Sequence, residues 1–232
     1  RFKKLMIPLS IPNISGNELK YVKDCLESGW ISSAGEYVKK FEKVVQKYTG
    51  SKYAIACMNG TAGLQISLNL AGVSRNDIVI APNLTFVATL NAISYTGAEI
   101  VLMDIQENSW QIDIDLLQNW LENNTITRFV NQKPITVEVK SGKKIGAIMP
   151  VYVLGGFFDI EKLTEICYNY GIPLIEDSTE ALGSFKKGNH AGTYGLTGVL
   201  SFNGNKIITA GGGGCILTNE TTLAKKAKHL TT

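Results

Sequence analysis

From residue 53 onward the sequence alternates short apolar runs, rich in β-branched residues, with longer stretches of helical periodicity. The apolar runs have no polar face, which is typical of strands that helices cover on both sides. This alternation is the pattern of a βαβ protein and predicts an α/β fold. The runs predict strands at 53–58, 78–80, 100–103, 145–149, 174–175, 199–202 and 215–217. Helices are predicted at 61–70, 86–95, 115–123 and 160–170, the last with Asp159 as its N-cap.

Length and composition are those of a globular protein. A chain of 232 residues allows one large domain, or one domain and an incomplete second. Hydrophobic residues at 44% and charged residues at 19% exclude a disordered chain or a coiled coil. The formal net charge of +3 is too small to indicate nucleic acid as a partner.

No segment has the pattern of a membrane span or a secretion signal. The most apolar stretch, 147–158, is interrupted by Pro150 and two glycines and is shorter than the ~20 residues that cross a bilayer. The basic first residues are followed by prolines rather than by an apolar run. Four cysteines, at positions 25, 57, 167 and 215, are too scattered for a metal site or a disulfide framework. We therefore expect a cytoplasmic protein with no membrane partner and no bound metal.

Two segments depart from the alternation. Residues 124–144 are polar around an apolar run at 135–139, which predicts an inserted hairpin. A solvated surface excursion is favoured over a binding role for this hairpin. Residues 193–214 are dense in glycine, and four consecutive glycines at 211–214 suit a place where backbones approach closely or φ is positive.

Several familiar catalytic motifs are absent from the sequence. No glycine-rich dinucleotide fingerprint follows the first strand, there is no Walker-type phosphate loop, and there are only two histidines. These absences argue against nicotinamide, nucleoside triphosphate and zinc chemistry.

Three polar groups instead lie at or just beyond the predicted strands. The turn at 59–62, Asn-Gly-Thr-Ala, precedes a helix, where backbone N–H groups bind anions, although helix capping explains the same residues. Glu176 and Asp177 end a buried strand, where a carboxylate needs a cationic partner to stay ionised. Lys206 follows a strand-like run among uncharged neighbours, although an exposed loop lysine is the simpler interpretation.

Together these groups match the needs of pyridoxal 5′-phosphate. The cofactor has a phosphate, a pyridine nitrogen that stays protonated beside a carboxylate, and an aldehyde that condenses with a lysine amine. The turn at 59–62, Asp177 and Lys206 offer one candidate for each part.

Five motifs extend this match over almost the whole chain. In order, they are Ile31-Ser-Ser33 with Phe41-Glu42, Asn59-Gly-Thr-Ala62, Thr85-Phe-Val-Ala-Thr89 with Asn91-Ala-Ile93, Glu176-Asp-Ser-Thr-Glu-Ala181, and Ser201-Phe202 with Lys206 and Thr209. The sequence thereby resembles the DegT/DnrJ/StrS family of nucleotide-sugar aminotransferases, pyridoxal-phosphate enzymes of the aspartate-aminotransferase fold (fold type I). The resemblance implies a mostly parallel mixed sheet with helices on both faces, as an N-terminal arm at 1–25 and a cofactor-binding large domain at 26–232.

The resemblance also implies a role for each matching residue. Lys206 would bind the cofactor's aldehyde covalently, and Asp177 would pair with the pyridine nitrogen. Phe86 would contact the ring face, and Glu180 the phenolic oxygen. The phosphate would be bound by Gly60, Thr61, Ala62 and Ser201. The substrate would contact Ser33 and Tyr152.

The reaction implied by the resemblance is amino transfer to a nucleotide-linked keto-sugar, a 4-keto-6-deoxy sugar. Glutamate would be the donor, and the enzyme would be a homodimer that serves bacterial surface polysaccharide biosynthesis. Because relatives with histidine in place of Lys206 are sugar dehydratases, the lysine favours amino transfer. The alternatives are another pyridoxal-phosphate reaction, such as elimination or group exchange, and a large-domain fragment that only binds cofactor or a partner.

Two features depart from the family pattern. The resemblance implies an acid at the position of Gly212, so the glycine puts any interaction of that acid in doubt. Family members are also considerably longer than 232 residues. We therefore expect that the small C-terminal domain is missing and that the chain is a truncated form without full activity of its own.

Overall fold

The computed structural model of the protein describes residues 7, 8 and 10–232. The α-helices of this part of the chain are α1 (Glu18–Ser28), α2 (Glu36–Thr49), α3 (Gly60–Leu70), α4 (Val87–Thr96), α5 (Ile114–Asn124), α6 (Ile160–Tyr170) and α7 (Thr221–Thr231). Its strands are β1 (Tyr53–Cys57), β2 (Asp77–Pro82), β3 (Glu99–Met103), β4 (Thr125–Val130), β5 (Lys133–Glu138), β6 (Lys144–Ile148), β7 (Ile175–Asp177), β8 (Phe185–Lys186), β9 (Asn189–His190), β10 (Thr197–Ser201) and β11 (Gly214–Thr218).

The main strands form two hydrogen-bonded groups, β1-β11-β10-β7 and β3-β2-β6-β5-β4. Parallel bridges from Ile148 to Leu174 and from Val151 to Asp177 connect the two groups. Strand β7 is parallel to β10, and β2 is parallel to both β3 and β6, whereas β11 is antiparallel to its two neighbours. The expected mostly parallel mixed sheet is confirmed.

Helices cover both faces of this sheet. Ile78 and Ile80 of β2 pack in one cluster with α5 and α6, whereas Val79 and Ala81 pack in another with α3 and α4. Side chains alternate between the two faces of a strand, so both faces of β2 are buried. This double burial explains why the strand shows no polar face in the sequence.

The inserted hairpin has the expected position. Strands β4 and β5 pair antiparallel from Thr125 opposite Glu138 to Val130 opposite Lys133. The turn residues Asn131 and Gln132 both have positive φ, which gives the tight two-residue turn that matches strand twist.

The N-terminal region contains two helices that the sequence interpretation did not include. Helix α2 buries Val45 and Thr49, whereas α1 has no buried residue. Helix α1 continues through residue 25, where the arm was expected to end, and residues 1–6 and 9 of the arm lie outside the described residues. The division into an arm at 1–25 and a large domain at 26–232 stays a prediction. None of the helices in the described residues is long and apolar enough to cross a membrane.

Candidate active site

Three strands bring their last residues to the same edge of the sheet. Gly214 pairs with both Cys57 at the end of β1 and Ser201 at the end of β10. Asp177 ends β7, which runs parallel to β10. The carboxyl ends of β1, β7 and β10 therefore lie together, and the segments that follow them carry most of the expected site residues.

The turn after β1 is shaped by its N-cap. The Asn59 side chain accepts the Ala62 N–H at 2.8 Å, and the Asn59 carbonyl accepts the Gly63 N–H. The N–H groups of Gly60 and Thr61 have no acceptor within α3, because the first amides of a helix lack one. Capping therefore explains Asn59, whereas the two amides that follow it can bind an anion.

Glycine at position 60 allows close packing beside this turn. A Cβ at Gly60 would lie 3.0 Å from Thr179 Cγ2 and 3.2 Å from Ser201 Cβ. Thr179 follows β7 and Ser201 ends β10, so the absence of a side chain lets the turn lie against both strands. A cradle of backbone amides and small hydroxyl side chains results.

The four-glycine run supports the same turn. Gly213 has a φ of 123° and pairs with Asn59. A Cβ at Gly214 would lie 2.5 Å from the carbonyl carbon of Asn59. The expectation of close backbone approach and positive φ in this run is confirmed. Gly212 has open space around it.

Asp177 is a buried carboxylate with two donors. Its Oδ2 accepts the Thr89 hydroxyl at 2.6 Å, and its Oδ1 accepts the Thr179 N–H at 3.2 Å. Burial raises the pKa of Asp177, whereas these hydrogen bonds and the ammonium group of Lys206 lower it. The carboxylate has lone pairs left for a further donor.

Glu176 has a different environment from Asp177. It is fully buried, and its carboxylate accepts four hydrogen bonds, from the Tyr152 hydroxyl and the N–H groups of Gly192, Tyr194 and Gly195. Burial raises the pKa of Glu176, and these hydrogen bonds oppose that shift. Within the described residues Glu176 has no ion pair, so the expected cationic partner is replaced by backbone and hydroxyl donors.

Tyr152 lies in the core rather than on the substrate side. Its side chain is fully buried and packs against Phe157 and Phe158. Burial and the neighbouring Glu176 raise the pKa of the Tyr152 hydroxyl well above its usual range. The Tyr152 hydroxyl donates a hydrogen bond to Glu176, and the structure does not bring Tyr152 to the site surface.

Lys206 is held by Glu180. Lys206 Nζ lies 3.4 Å from Glu180 Oε1, and Glu180 Oε2 accepts the Leu154 N–H at 2.9 Å. The Lys206 side chain is only 15% exposed. The interpretation of Lys206 as an exposed loop lysine is therefore wrong. Its flanking residues in the sequence are uncharged, but in the structure Glu180 is a charged neighbour.

Phe86 and Ser33 occupy different places. Phe86 is the N-cap of α4, is 70% exposed, and precedes Thr89, which contacts Asp177. Ser33 lines a groove of about 1250 Å³ between α1 and α2. The described residues that line this groove do not include Asp177 or Lys206. The structure therefore brings Phe86, but not Ser33, to the strand-end residues.

Three contacts at the site were not assigned from the sequence: the hydroxyl of Thr89, the amide of Thr179 and the amide of Leu154. Thr85 and Thr89 are four residues apart, a spacing that places side chains on one face of a helix. That spacing was a usable signal for Thr89. No sequence signal indicates the Leu154 amide, which depends on a positive φ of 52° at that residue.

Known proteins resemble this chain in sequence and in fold. The sequence profile of the DegT/DnrJ/EryC1/StrS aminotransferase family matches residues 12–232. The chain belongs to this family. The family and the fold expected from the sequence motifs are thereby confirmed.

Members of the family and related structures cover nearly all of the chain. The GDP-perosamine synthase of Escherichia coli O157:H7 is 37% identical over 223 residues, which are 96% of this chain and 56% of that protein. A DegT DnrJ EryC1 StrS aminotransferase from Brucella abortus superposes with a TM-score of 0.80 at 27% identity, over 91% of this chain and 54% of that one. The E. coli GDP-4-keto-6-deoxy-D-mannose-3-dehydratase with bound hydrated PLP gives 0.77 at 25% identity, over 94% and 52%. The chain spans about half the length of the curated relatives it matches.

Proposed function

We propose that the whole protein is a pyridoxal-phosphate-dependent aminotransferase that acts on a GDP-linked 4-keto-6-deoxy sugar with glutamate as the amino donor. The observation that carries this proposal is the convergence of Asp177, Lys206 and the Asn59 turn at one edge of the sheet. The relative named GDP-perosamine synthase supports GDP as the nucleotide.

The residues at this edge fit the proposed cofactor. Glycine at position 60 lets the turn lie against Thr179 and Ser201, and the first amides of α3, with Thr61 and Ala62 in the same helical turn, fit a phosphate. Buried Asp177, with lone pairs to spare, fits a protonated pyridine nitrogen. Exposed Phe86 is available to a ring face.

Lys206 is the proposed catalytic group. Bound pyridoxal phosphate withdraws electrons from the α-carbon of an amino acid, so that its proton can leave. The Lys206 amine can then accept that proton and return it at a different carbon. Glu180 keeps the amine in place, because its second carboxylate oxygen is fixed by the Leu154 amide.

We further propose a homodimer that works in the cytoplasm in bacterial surface polysaccharide biosynthesis. Leu19, Val22 and Leu26 give α1 an exposed apolar stripe, which supports burial against another protein surface. The four cysteines are free, which is consistent with a reducing compartment.

The test is an amination assay of the whole protein with pyridoxal phosphate, glutamate and GDP-4-keto-6-deoxymannose. We expect a GDP-linked amino sugar and stoichiometric 2-oxoglutarate, with much slower turnover of UDP- and dTDP-linked keto-sugars. Release of ammonia or pyruvate from amino acids would favour elimination. A deoxygenated sugar would indicate dehydration, and cofactor binding with no turnover of any substrate would leave only the binding interpretation.

A further inference from the structure

The first turn of α4 carries a hydroxyl that contacts the site carboxylate. We propose that Thr89 is a positioning residue that keeps Asp177 ionised and oriented for the cofactor, and that Thr85 fixes the direction of the hydrogen bond. This inference rests on the proposed function, because it assigns Asp177 to the cofactor's ring nitrogen.

The direction of the hydrogen-bond chain follows from its end. Thr89 is fully buried, and its Oγ1 lies 2.6 Å from Asp177 Oδ2 and 2.7 Å from Thr85 Oγ1. An ionised carboxylate can only accept, so the single hydroxyl proton of Thr89 points to Asp177. The 2.7 Å contact is then a hydrogen bond in which Thr85 donates to Thr89, and the Phe86 carbonyl, 3.1 Å from Thr85 Oγ1, is a second acceptor within its reach. The chain therefore runs from Thr85 through Thr89 to the carboxylate.

Two donors from different elements fix the plane of this carboxylate. Thr89 of α4 holds Oδ2, and the backbone amide of Thr179, beyond β7, holds Oδ1. The Thr89 N–H also donates to the carbonyl of Phe86 at 3.2 Å. One helical turn therefore links the exposed Phe86 ring to the position of Asp177 through the Thr89 hydroxyl, and the side chain of Thr179 is a second group that lowers the pKa of Asp177.

The charged groups around Asp177 determine how loss of the Thr89 hydroxyl would change the pKa of this carboxylate. Lys206 lies close enough to stabilise the carboxylate, Glu180 is paired with Lys206, and Glu176 has its own four donors. Burial raises the pKa of Asp177, and the Thr89 hydrogen bond is the strongest of the contacts that lower it. Without that bond Asp177 would take up a proton at a higher pH than in the wild type.

The test measures the dissociation constant of pyridoxal phosphate by absorbance titration of the whole protein across pH 5.5–9. Thr89→Val, which keeps the shape and loses the hydroxyl, should weaken binding about tenfold or more, as expected for a hydrogen bond to a charged group. The loss of affinity on acidification should begin about one pH unit higher. Thr89→Ser should restore both properties to within about threefold.

A matched control removes another buried threonine hydroxyl. Thr136, in β5, is 1% exposed and donates to the Tyr170 carbonyl at 2.6 Å. Thr136→Val should leave cofactor affinity and its pH profile unchanged. Thr85→Val is the second test variant, because it removes the donor behind Thr89. It should shift the pH profile in the same direction by a smaller amount.

Wild-type affinity and pH profile in Thr89→Val would overturn the inference. So would an equal loss of affinity at every pH in both Thr89→Val and Thr89→Ser, since that pattern indicates packing alone. If Thr89→Val does not fold, an unshifted profile in Thr85→Val overturns the inference instead. Failure of the wild-type protein to bind pyridoxal phosphate would refute the proposed function itself and is thereby distinguishable.

Discussion

Asp177 illustrates how a single buried charge can be kept available for chemistry. A carboxylate that is 3% exposed loses most of its hydration, and the hydrogen bonds to its two oxygens offset part of that loss. Neither donor carries a charge, so the carboxylate remains the negative group to which a protonated ring nitrogen would bind.

Replacement of this carboxylate by an amide should remove most of the activity. Asp177→Asn keeps the size of the side chain but loses the charge, and we expect kcat to fall at least about thirtyfold, from the ~2–5 kcal/mol that a broken buried charge pair costs. The measurement is the steady-state amination rate. Asp159→Asn is the matched control, because Asp159 only caps α6 and asparagine caps equally well. Equal rates in both variants would contradict the role of Asp177.

His190 is a buried titratable residue outside the site. Its Nε2 accepts the Gly183 N–H at 2.9 Å, and its Nδ1 donates to the Ala191 carbonyl. Burial lowers the pKa of His190, whereas the contact with Ala191 opposes this. The folded protein therefore holds this imidazole neutral at a pH where the unfolded chain, with an ordinary pKa of ~6.5, takes up a proton.

The sign of the resulting pH dependence is fixed. Because the unfolded state binds more protons below about pH 6.5, the free energy of unfolding should fall as the pH falls, by up to ~1.4 kcal/mol per unit. Urea denaturation between pH 5.5 and 7 measures this slope. His190→Gln should be less stable at neutral pH but should show a flatter slope. An unchanged slope in His190→Gln would contradict the assignment.

At the scale of secondary-structure elements, β10 depends on a backbone contact that only glycine allows. A Cβ at Gly198 would overlap the backbone of Gly192, whose carbonyl oxygen is its nearest atom. The same segment, 192–195, provides the amides that hold Glu176. Strand β10 and the loop before it are therefore packed backbone to backbone, and this packing positions Ser201 at the end of the strand.

A methyl group at this contact should be strongly destabilising. Gly198→Ala should lower the free energy of unfolding by about 3 kcal/mol, because backbone atoms cannot move aside as a flexible side chain does. Gly204→Ala is the matched control, since a Cβ at Gly204 meets open space. It should stay within about 0.5 kcal/mol of the wild type in urea denaturation. Similar losses in both variants would contradict the close approach of β10 and the 192–195 loop.

At the scale of the whole molecule, the sequence predicted the layers well. The core strands were recognisable because double burial gives them uninterrupted apolar runs, and α3 to α6 were recognisable from helical spacing. Helices α1 and α2 were missed. Both helices carry apolar residues at helical spacing, Leu19, Val22 and Leu26 in α1 and Phe41 and Val45 in α2, so their periodicity was present in the sequence and was overlooked.

The candidate site was only partly predictable. The sequence indicated Asp177, Lys206 and the Asn59 turn, because strand ends of a parallel sheet meet at one edge. It did not indicate that Glu180 pairs with Lys206 or that Tyr152 is used by Glu176. These contacts join segments that are distant along the chain, so no local periodicity of the sequence indicates them.

The proposed role of Lys206 is tested by identifying the lysine that binds the cofactor. The whole protein is loaded with pyridoxal phosphate, reduced with borohydride, digested and mapped by mass spectrometry. We expect the cofactor's added mass on the peptide that contains Lys206, and its loss from that peptide in Lys206→Arg. Label on a different lysine, or no label on a protein that binds the cofactor tightly, would contradict the role of Lys206.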